Sequence, residues 1–161
     1  MLVIHCETGD DVAIEGDGLA GADISNRNLH RALLEGRNLT GANLSGTELR
    51  SAWLEGTVLQ QANLTGASLA ACNATGANFG GADLTQAMMR SGIFEDANFS
   101  GAILVGAKVG GARFAHAVFD GADLTMCEGL ERADLSGAFF NIATKWPVDF
   151  DPERRGLVVR A

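Results

Sequence analysis

The chain has 161 residues with a formal net charge of −8, and it contains 25 Ala and 21 Gly but only two Pro. A hydrophobic content of 47% excludes intrinsic disorder, and glycine does not recur at every third position, which excludes a collagen helix. The negative charge has the wrong sign for a surface that neutralises phosphates, so we expect no direct contact with nucleic acid. The length fits one domain.

Residues 1–16 precede the repeats described below and carry no basic segment followed by a long apolar run. No signal peptide is therefore predicted, and no stretch of the chain is apolar for long enough to cross a bilayer. The three cysteines, Cys6, Cys72 and Cys127, form an odd and widely spaced set that indicates neither a disulfide framework nor a zinc site. We expect a cytoplasmic protein without membrane contact. Residues 1–16 are predicted to cap the N-terminal end of the repeat region.

A five-residue repeat occupies most of the chain. From Leu19 to Leu124 every fifth residue is apolar, and these 22 positions, called centres here, hold thirteen Leu, five Phe, Ile24, Met89, Val109 and Ala74. Fifteen centres have Ala two positions earlier, ten have Asp or Asn directly before them, and twelve have Gly two positions later. This period is neither 3.6 nor 2, so the chain must turn once per repeat. The large and small apolar residues then share an inward direction, while the Gly positions form the corners.

Residues 42–46, 62–66 and 82–86 read ANLSG, ANLTG and ADLTQ. They resemble the A(D/N)LXX repeat of the pentapeptide-repeat proteins, and the resemblance extends over residues 17–140. It implies an all-β fold, a right-handed quadrilateral parallel β-helix in which four pentapeptides form a coil of twenty residues. The repeat region would then contain about six coils and, at about 4.8 Å per coil, form a stiff rod roughly 30 Å long.

Residues twenty apart would stack in four interior columns. We number the columns 1 to 4 by their first residues, which are Leu19, Ile24, Leu29 and Leu34. Column 4 contains the small Ala74, and we expect Phe79 and Phe94 to fill the space beside it because protein interiors tolerate few voids. Asp17 and Arg37 replace the usual Ala on the first coils, which predicts an ion pair between them.

The repeat register breaks after Leu124, because the next centre is Leu130 and one extra residue in 125–129 predicts a bulge. Residues 144–152 read TKWPVDFDP and resemble the TKWPxxFDP end segment of many family members. This resemblance implies that residues 141–161 cap the C-terminal end, with Trp146 and Phe150 over the last coil. The alternative is a dimer contact by the same tail, so the sequence is compatible with a monomer or with a C-terminal homodimer.

One outer surface is a candidate protein-binding site. Along column 4, large apolar residues directly precede the centres and glutamates directly follow them, a combination that suits a contact surface. The residues are Leu33, Trp53, Ile93, Glu35, Glu55 and Glu95. The alternatives are that a terminal segment covers this surface or that copies of the chain contact each other there.

The sequence offers no catalytic, metal or cofactor site. Residues 16–21 match GxGxxG but lack the preceding strand and following helix of a dinucleotide site. The histidines and cysteines share no ligand spacing, and a rod without a cleft is a poor enzyme scaffold. We expect a protein that is not an enzyme and carries no cofactor.

Two main functions remain open, and a third, less favoured class is a small-molecule or cell-wall enzyme. The first is a rigid interaction or scaffold module with an unidentified protein partner. The second comes from the family resemblance, since some members look like B-form DNA in width and charge and bind type II topoisomerases, inhibiting DNA gyrase or protecting it from quinolones. The partner would then be DNA gyrase or topoisomerase IV. Residues 1–140 carry 17 acidic and 8 basic side chains, a balance of −9 that favours this second function. The basic residues His30, Arg50 and Arg90, which follow the centres of column 3, argue against it.

Overall fold

The computed structural model describes residues 1–161 as a solenoid whose successive coils pair in parallel. Residues twenty positions apart form β-bridges, from Asp23 with Asn43 to Ile103 with Asp123. Because the chain turns every five residues, each side of a coil is extended over too short a stretch to form a long strand. The regular elements are β1 (Leu2–Ile4), β2 (Val12–Ile14), β3 (Phe139–Phe140), β4 (Val158–Val159) and two 3-10 helices (Leu130–Arg132 and Glu153–Arg155).

Hydrogen bonds between coils satisfy the backbone. The Leu44 amide donates to the Asn63 carbonyl at 2.7 Å, and the Asn63 amide donates back to the Ala42 carbonyl at 2.9 Å. Within the coil, the Ala42 amide donates to the Leu39 carbonyl at 3.0 Å and closes a turn. This set of bonds recurs along the repeats, so each coil uses its neighbours to pair polar backbone groups that would otherwise be costly to bury.

Every corner has the same left-handed backbone. All 22 residues that lie two positions after a centre have positive φ, including the twelve glycines at such positions. The ten other residues have φ between 54° and 60°, and they are Asn26, Arg31, Ser51, Gln61, Ala71, Gln86, Ser91, Asp96, His116 and Met126. The coil therefore imposes this conformation even where the side chain disfavours it.

The core consists of the stacked centres and the small residues before them, and all 22 centres are buried. In column 1, Phe79 stacks on Phe99 with ring centroids 4.8 Å apart, and Phe99 stacks on Phe119 at 5.3 Å. In column 4, Phe94 stacks on Phe114 at 5.2 Å. The two columns meet edge to face, with Phe79 and Phe94 6.0 Å apart. Ala74 lies fully buried in column 4 on the coil before Phe94.

The extra residue in 125–129 produces a local change of register at Gly129. This residue has φ 89° and precedes the first 3-10 helix. Beyond it, Arg113 pairs with Asp134, a separation of 21 residues where the earlier coils have twenty. A Cβ on Gly129 would lie 2.6 Å from the Gly110 nitrogen, so only glycine fits this close backbone approach.

The two ends differ in structure. At the N-terminal end, β1 and β2 form an antiparallel hairpin, and the His5 carbonyl accepts a hydrogen bond from the Leu33 amide at 2.8 Å. At the C-terminal end, β4 pairs in parallel with β3. The predicted Asp17 to Arg37 ion pair is wrong, since the two charged groups are not within 4 Å of each other. Both residues are exposed, where such a pair would contribute little.

Candidate functional site

The apolar stripe, defined as Leu33, Trp53 and Ile93, runs along the outer side of column 4. Leu33 pairs with Trp53 across neighbouring coils, Trp53 with Asn73, and Asn73 with Ile93, so all four residues lie on one side of the solenoid. Leu33 is 40% exposed and Trp53 is 36% exposed, whereas Ile93 is half-buried. The repeat register therefore brings the three predicted apolar residues together at the surface.

A surface groove of about 490 Å³ lies beside this stripe and includes Trp53, Asn73 and Ile93. We call it the Trp53 groove, and its complete lining is His30, Arg31, Ser51, Ala52, Trp53, Ala71, Asn73 and Ile93. Sequence reasoning missed the corner residues that follow the column 3 centres. The repeat register could have identified them, because each corner residue lies two positions before the corresponding outer residue of column 4.

Polar groups at one end of the groove differ in their pairing. The Arg31 guanidinium forms an ion pair with Glu7 at 2.7 Å, which links the corner to the segment after β1. The His30 ring nitrogen Nδ1 is buried and has no hydrogen-bond partner. The groove thus offers an aromatic surface together with one unused polar atom.

The three predicted glutamates do not form a uniform acidic column. Glu55 accepts a hydrogen bond from the Asn73 side-chain amide, and Glu95 forms an ion pair with Arg113 at 2.5 Å. Glu35 is exposed and makes no ion pair. The stripe consequently has one free carboxylate near Leu33, while the other two hold neighbouring side chains in place.

Trp146 and Phe150 pack within the chain at the C-terminal end. The Trp146 ring lies 6.0 Å from Phe119, the last phenylalanine of column 1, and it stacks on Phe150 at 5.1 Å. Both residues are half-buried against the core. The indole Nε1 is buried without an acceptor. This packing continues the phenylalanine column beyond the last coil.

The outer side of column 2 carries a ladder of carboxylates and amides whose contacts are structural. Asp23 accepts a hydrogen bond from the Ser25 amide at 3.1 Å and another from the Asn43 side chain at 3.1 Å. Hydrogen bonds from Ser25, and then from Asn43, hold the pKa of Asp23 below its usual value. These contacts stabilise the corner through Oδ1 of Asp23, and its Oδ2 accepts no hydrogen bond from the protein.

Chemically reactive groups are sparse. Burial raises the pKa of the Cys72 thiol to about 12 and that of the Cys127 thiol to about 12, which keeps both protonated and unreactive. No group of three or more His, Cys, Asp or Glu side chains converges closely enough to hold a metal ion. No helix has the length and apolar character needed to cross a membrane.

Fold and surface together define a repeat protein, a solenoid of five-residue units with an outer groove. The family model for pentapeptide repeats matches eight copies at residues 19–56, 52–90 and 93–127. The chain belongs to the pentapeptide-repeat family. No curated protein matches it.

Solved structures of other pentapeptide-repeat proteins share this right-handed β-helix fold. A protein of the Arabidopsis thaliana thylakoid lumen is 27% identical, with 76% of this chain and 74% of that chain covered and a TM-score of 0.52. QnrB1, a plasmid-mediated fluoroquinolone resistance protein, is 16% identical over 88% of this chain and 74% of its own, with a TM-score of 0.54. HetL of Nostoc sp. strain PCC 7120, involved in heterocyst differentiation regulation, is 24% identical over 84% of this chain with a TM-score of 0.44, and the match spans 63% of HetL.

Proposed function

We propose that this protein is a rigid, non-enzymatic interaction module that binds a protein partner through the Trp53 groove. The observation that carries the proposal is the part-exposed Trp53 indole, which lines a groove of about 490 Å³ on an otherwise regular rod. Tryptophan is one of the residues enriched among those that dominate binding energy at protein interfaces, especially where surrounding groups exclude water. The residues beside Trp53, Asn73 and Ile93, would supply a polar and an apolar contact.

The rest of the fold supports a scaffold role. We propose about six quadrilateral coils over residues 17–140, with residues 1–16 and 141–161 as end caps that prevent end-to-end pairing. Trp146 and Phe150 belong to the second cap in this proposal, because their rings already pack against Phe119 and against each other. A preformed, stiff surface loses little conformational entropy on binding. The absence of catalysis and the cytoplasmic location stay predictions.

The test compares capture of proteins from the native cell by the wild type and two variants. Trp53→Ala removes the indole from the groove, and Met88→Ala removes a similarly exposed apolar side chain from the outer side of column 3. We expect a partner that wild type and Met88→Ala retain equally and that Trp53→Ala loses by about tenfold or more, as for a typical hot-spot residue. Equal retention of every captured protein by all three would refute the groove as the binding surface.

A second candidate is a DNA-mimicking modulator of DNA gyrase or topoisomerase IV, and the observation that favours it is the −9 balance over residues 1–140. Charge alone would then steer the rod to a basic groove, with an association rate that falls as salt rises. The experiment titrates the protein into gyrase supercoiling and topoisomerase IV decatenation assays, with and without a quinolone. No change in either assay at micromolar protein would eliminate this candidate and leave the Trp53 groove untouched.

A further inference from the structure

A pocket of about 360 Å³ lies farther along the column 3 corner and is lined only by Arg90, Gly110, Gly111 and Arg132. We call it the arginine cradle. Arg90 directly follows one column 3 centre, Gly110 follows the next, and Arg132 lies one coil farther on. Because Gly110 and Gly111 have no side chains, the coil between the two arginines leaves an open space for a ligand.

Both guanidinium groups are available in this space. The Nη2 atom of Arg132 lies 3.2 Å from the position that a Cβ on Gly110 would occupy, so the side chain bends over the glycine backbone. Arg132 uses Nε, not Nη2, for its 3.3 Å ion pair with Glu131, and both side chains of that pair are about two-thirds exposed. Arg90 makes no ion pair. The carboxylate of Glu131 therefore competes only weakly for these donors.

A backbone donor is free at the same place. At an equivalent corner, the Arg50 amide donates to the Glu48 carboxylate at 2.9 Å. The Arg90 amide has Met88 in the position of Glu48, and a thioether is a poor acceptor, so this amide has no hydrogen-bond partner in the protein. Among the residues that precede the column 3 centres, Asn28 and Glu48 accept from the amide two residues on, and the later Ser68, Met88 and Lys108 do not. The free Arg90 amide therefore lies where the two arginines enclose a gap.

The local charge contrasts with that of the whole molecule. Lys108 lies just before the cradle glycines and makes no ion pair, and Arg155 donates from Nη2 to the Glu131 carbonyl at 2.7 Å. Two carboxylates also lie beside these groups, Glu128, which bridges Lys108 from the next coil, and Glu131, which pairs with Arg132. The four basic side chains outnumber them, in a chain whose net charge is −8.

We propose that the arginine cradle binds an oxyanion of the phosphate type, with Arg90 and Arg132 on opposite sides and the Arg90 amide as a third donor. Guanidinium groups match phosphate because their planar forks form two parallel, charge-assisted hydrogen bonds. The open coil at Gly110 and Gly111 provides room for the oxygens. This proposal uses residues other than those of the Trp53 groove, so either one can fail while the other holds.

The test is a titration of the 15N-labelled protein with inorganic phosphate at constant ionic strength, followed by two-dimensional NMR, with chloride as the reference anion. We expect phosphate to shift the amide signals of Arg90, Gly110 and Gly111. Arg132→Ala should weaken binding about tenfold, the effect of losing a charge-assisted hydrogen bond. The matched control is Arg50→Ala, which removes an arginine from the same corner where Glu48 already pairs with it, and it should bind phosphate like wild type.

A second variant tests the backbone donor without changing charge. Met88→Asn supplies an acceptor for the Arg90 amide, as Asn98 does for the Ser100 amide at 2.9 Å, and we expect it to weaken phosphate binding severalfold. A phosphoserine peptide distinguishes the source of the phosphate. Tighter binding than inorganic phosphate identifies a phosphorylated protein segment, and equal binding identifies free phosphate; both support the cradle. Failure of both ligands to bind, or equal affinity of Arg132→Ala and wild type, would overturn the proposal.

Discussion

The two halves of the solenoid share a backbone but differ in their core. Columns 1 and 4 are filled by leucine in the N-terminal half, whereas Phe79, Phe99 and Phe119 fill column 1 and Phe94 and Phe114 fill column 4 in the C-terminal half. Bridges between residues twenty apart and left-handed corners continue through both halves. The five-residue register thus determines the backbone of the coil. The interior accepts either leucine or phenylalanine, as long as the side chains of neighbouring columns change in size together.

The phenylalanines add contacts that leucine cannot make. Phe99 stacks on Phe79 and Phe119 and also meets Phe94 and Phe114 edge to face, at 5.9 Å and 5.7 Å. Aromatic pairs in such geometries contribute about 0.5–1.5 kcal/mol each beyond the area they bury. We therefore expect the C-terminal half to depend more strongly on single core residues than the N-terminal half.

The largest effect should come from truncating the centre of the aromatic core. Phe99→Ala should lower the free energy of unfolding by about 4–5 kcal/mol, and Leu59→Ala, two coils earlier in column 1, by about 2–4 kcal/mol. Both side chains are fully buried, so the difference reflects ring volume and stacking. Urea unfolding followed by circular dichroism measures both variants.

Phe99→Leu is the control for volume, because it retains an apolar side chain and removes only the ring. A cost of about 1–2 kcal/mol is expected from the lost aromatic pairs and imperfect filling. If Phe99→Leu were as stable as wild type, the stacked geometry would contribute nothing and the two halves would be energetically equivalent.

Gly92 shows how the backbone accommodates the larger rings. It is the one glycine at the small inward position among the 22 repeats. A Cβ there would lie 2.5 Å from Cε2 of Phe94 and 3.2 Å from the Leu69 carbonyl oxygen. We expect Gly92→Ala to destabilise the protein by about 1–3 kcal/mol, the usual cost of overpacking a core.

The double variant Gly92→Ala, Phe94→Leu tests this cause. The smaller side chain at 94 removes the ring that the new methyl group would meet, so the cost of Gly92→Ala should shrink when it is measured in the Phe94→Leu background. Thermal and urea denaturation of the four proteins completes the cycle. An unchanged cost would mean that the backbone contact with Leu69 is responsible instead.

Sequence reasoning predicted the parts of this molecule that repeat and missed the parts that depend on exceptions. The period of five identified the family, and the centres from Leu19 to Leu124 are all buried as the register requires. It did not predict that the corners at Ala71 and Met126 would adopt the glycine conformation, since local preference opposes it and the pairing of adjacent coils overrides it. The failed ion pair of Asp17 and Arg37 has a related cause, because sharing a column does not bring long, solvated side chains together.

The same reasoning explains what could be predicted of the sites. Leu33, Trp53 and Ile93 follow from the register alone, and they do form one stripe. The groove beside them also needs the corner residues of column 3, whose side chains vary from coil to coil. The arginine cradle depends on two departures from the consensus, at Met88 and at the extra residue before Leu130, and on Gly110, which occupies a position where the repeat allows any residue. The five-residue period predicts none of these three features.

The corners provide a smaller, local comparison. Ala71 has φ 54° near the boundary between the two halves, and Gly66 has φ 66° one corner earlier. Ala71→Gly should stabilise the protein by about 1 kcal/mol because glycine relieves the left-handed strain, and Gly66→Ala should destabilise it by a similar amount. A Cβ on Gly66 meets no atom within 4 Å, so its effect reports backbone conformation alone. Thermal unfolding midpoints that move in the same direction would contradict this account.

The smallest effect distinguishes the two ends of the column 2 ladder, where Asp23 and Asp123 occupy equivalent positions on the first and last coils. Burial acts to raise the pKa of Asp123, but hydrogen bonds from Thr125 and the 3.2 Å contact with Lys145 outweigh it, so the pKa lies below its usual value. A carboxylate whose pKa is lowered by folding stabilises the protein at pH values above the pKa that it has in the unfolded chain. This stabilisation is lost as the pH falls, here below about pH 4.

Asp123→Asn and Asp23→Asn separate the contributions of the two ends. Asparagine can still accept the hydrogen bond from the amide two residues on, so the variants remove the charge and keep the corner. At pH 7 we expect the melting temperature of Asp123→Asn to lie below that of wild type, because the variant loses the attraction of Lys145. This gap in melting temperature should close as the pH is lowered to about 2, where wild-type Asp123 is protonated and therefore uncharged too. Asp23 has no comparable cation in contact, so Asp23→Asn should show a smaller gap at pH 7. Melting curves across this pH range measure both gaps, and a gap for Asp123→Asn that widened on acidification would reverse the assigned sign.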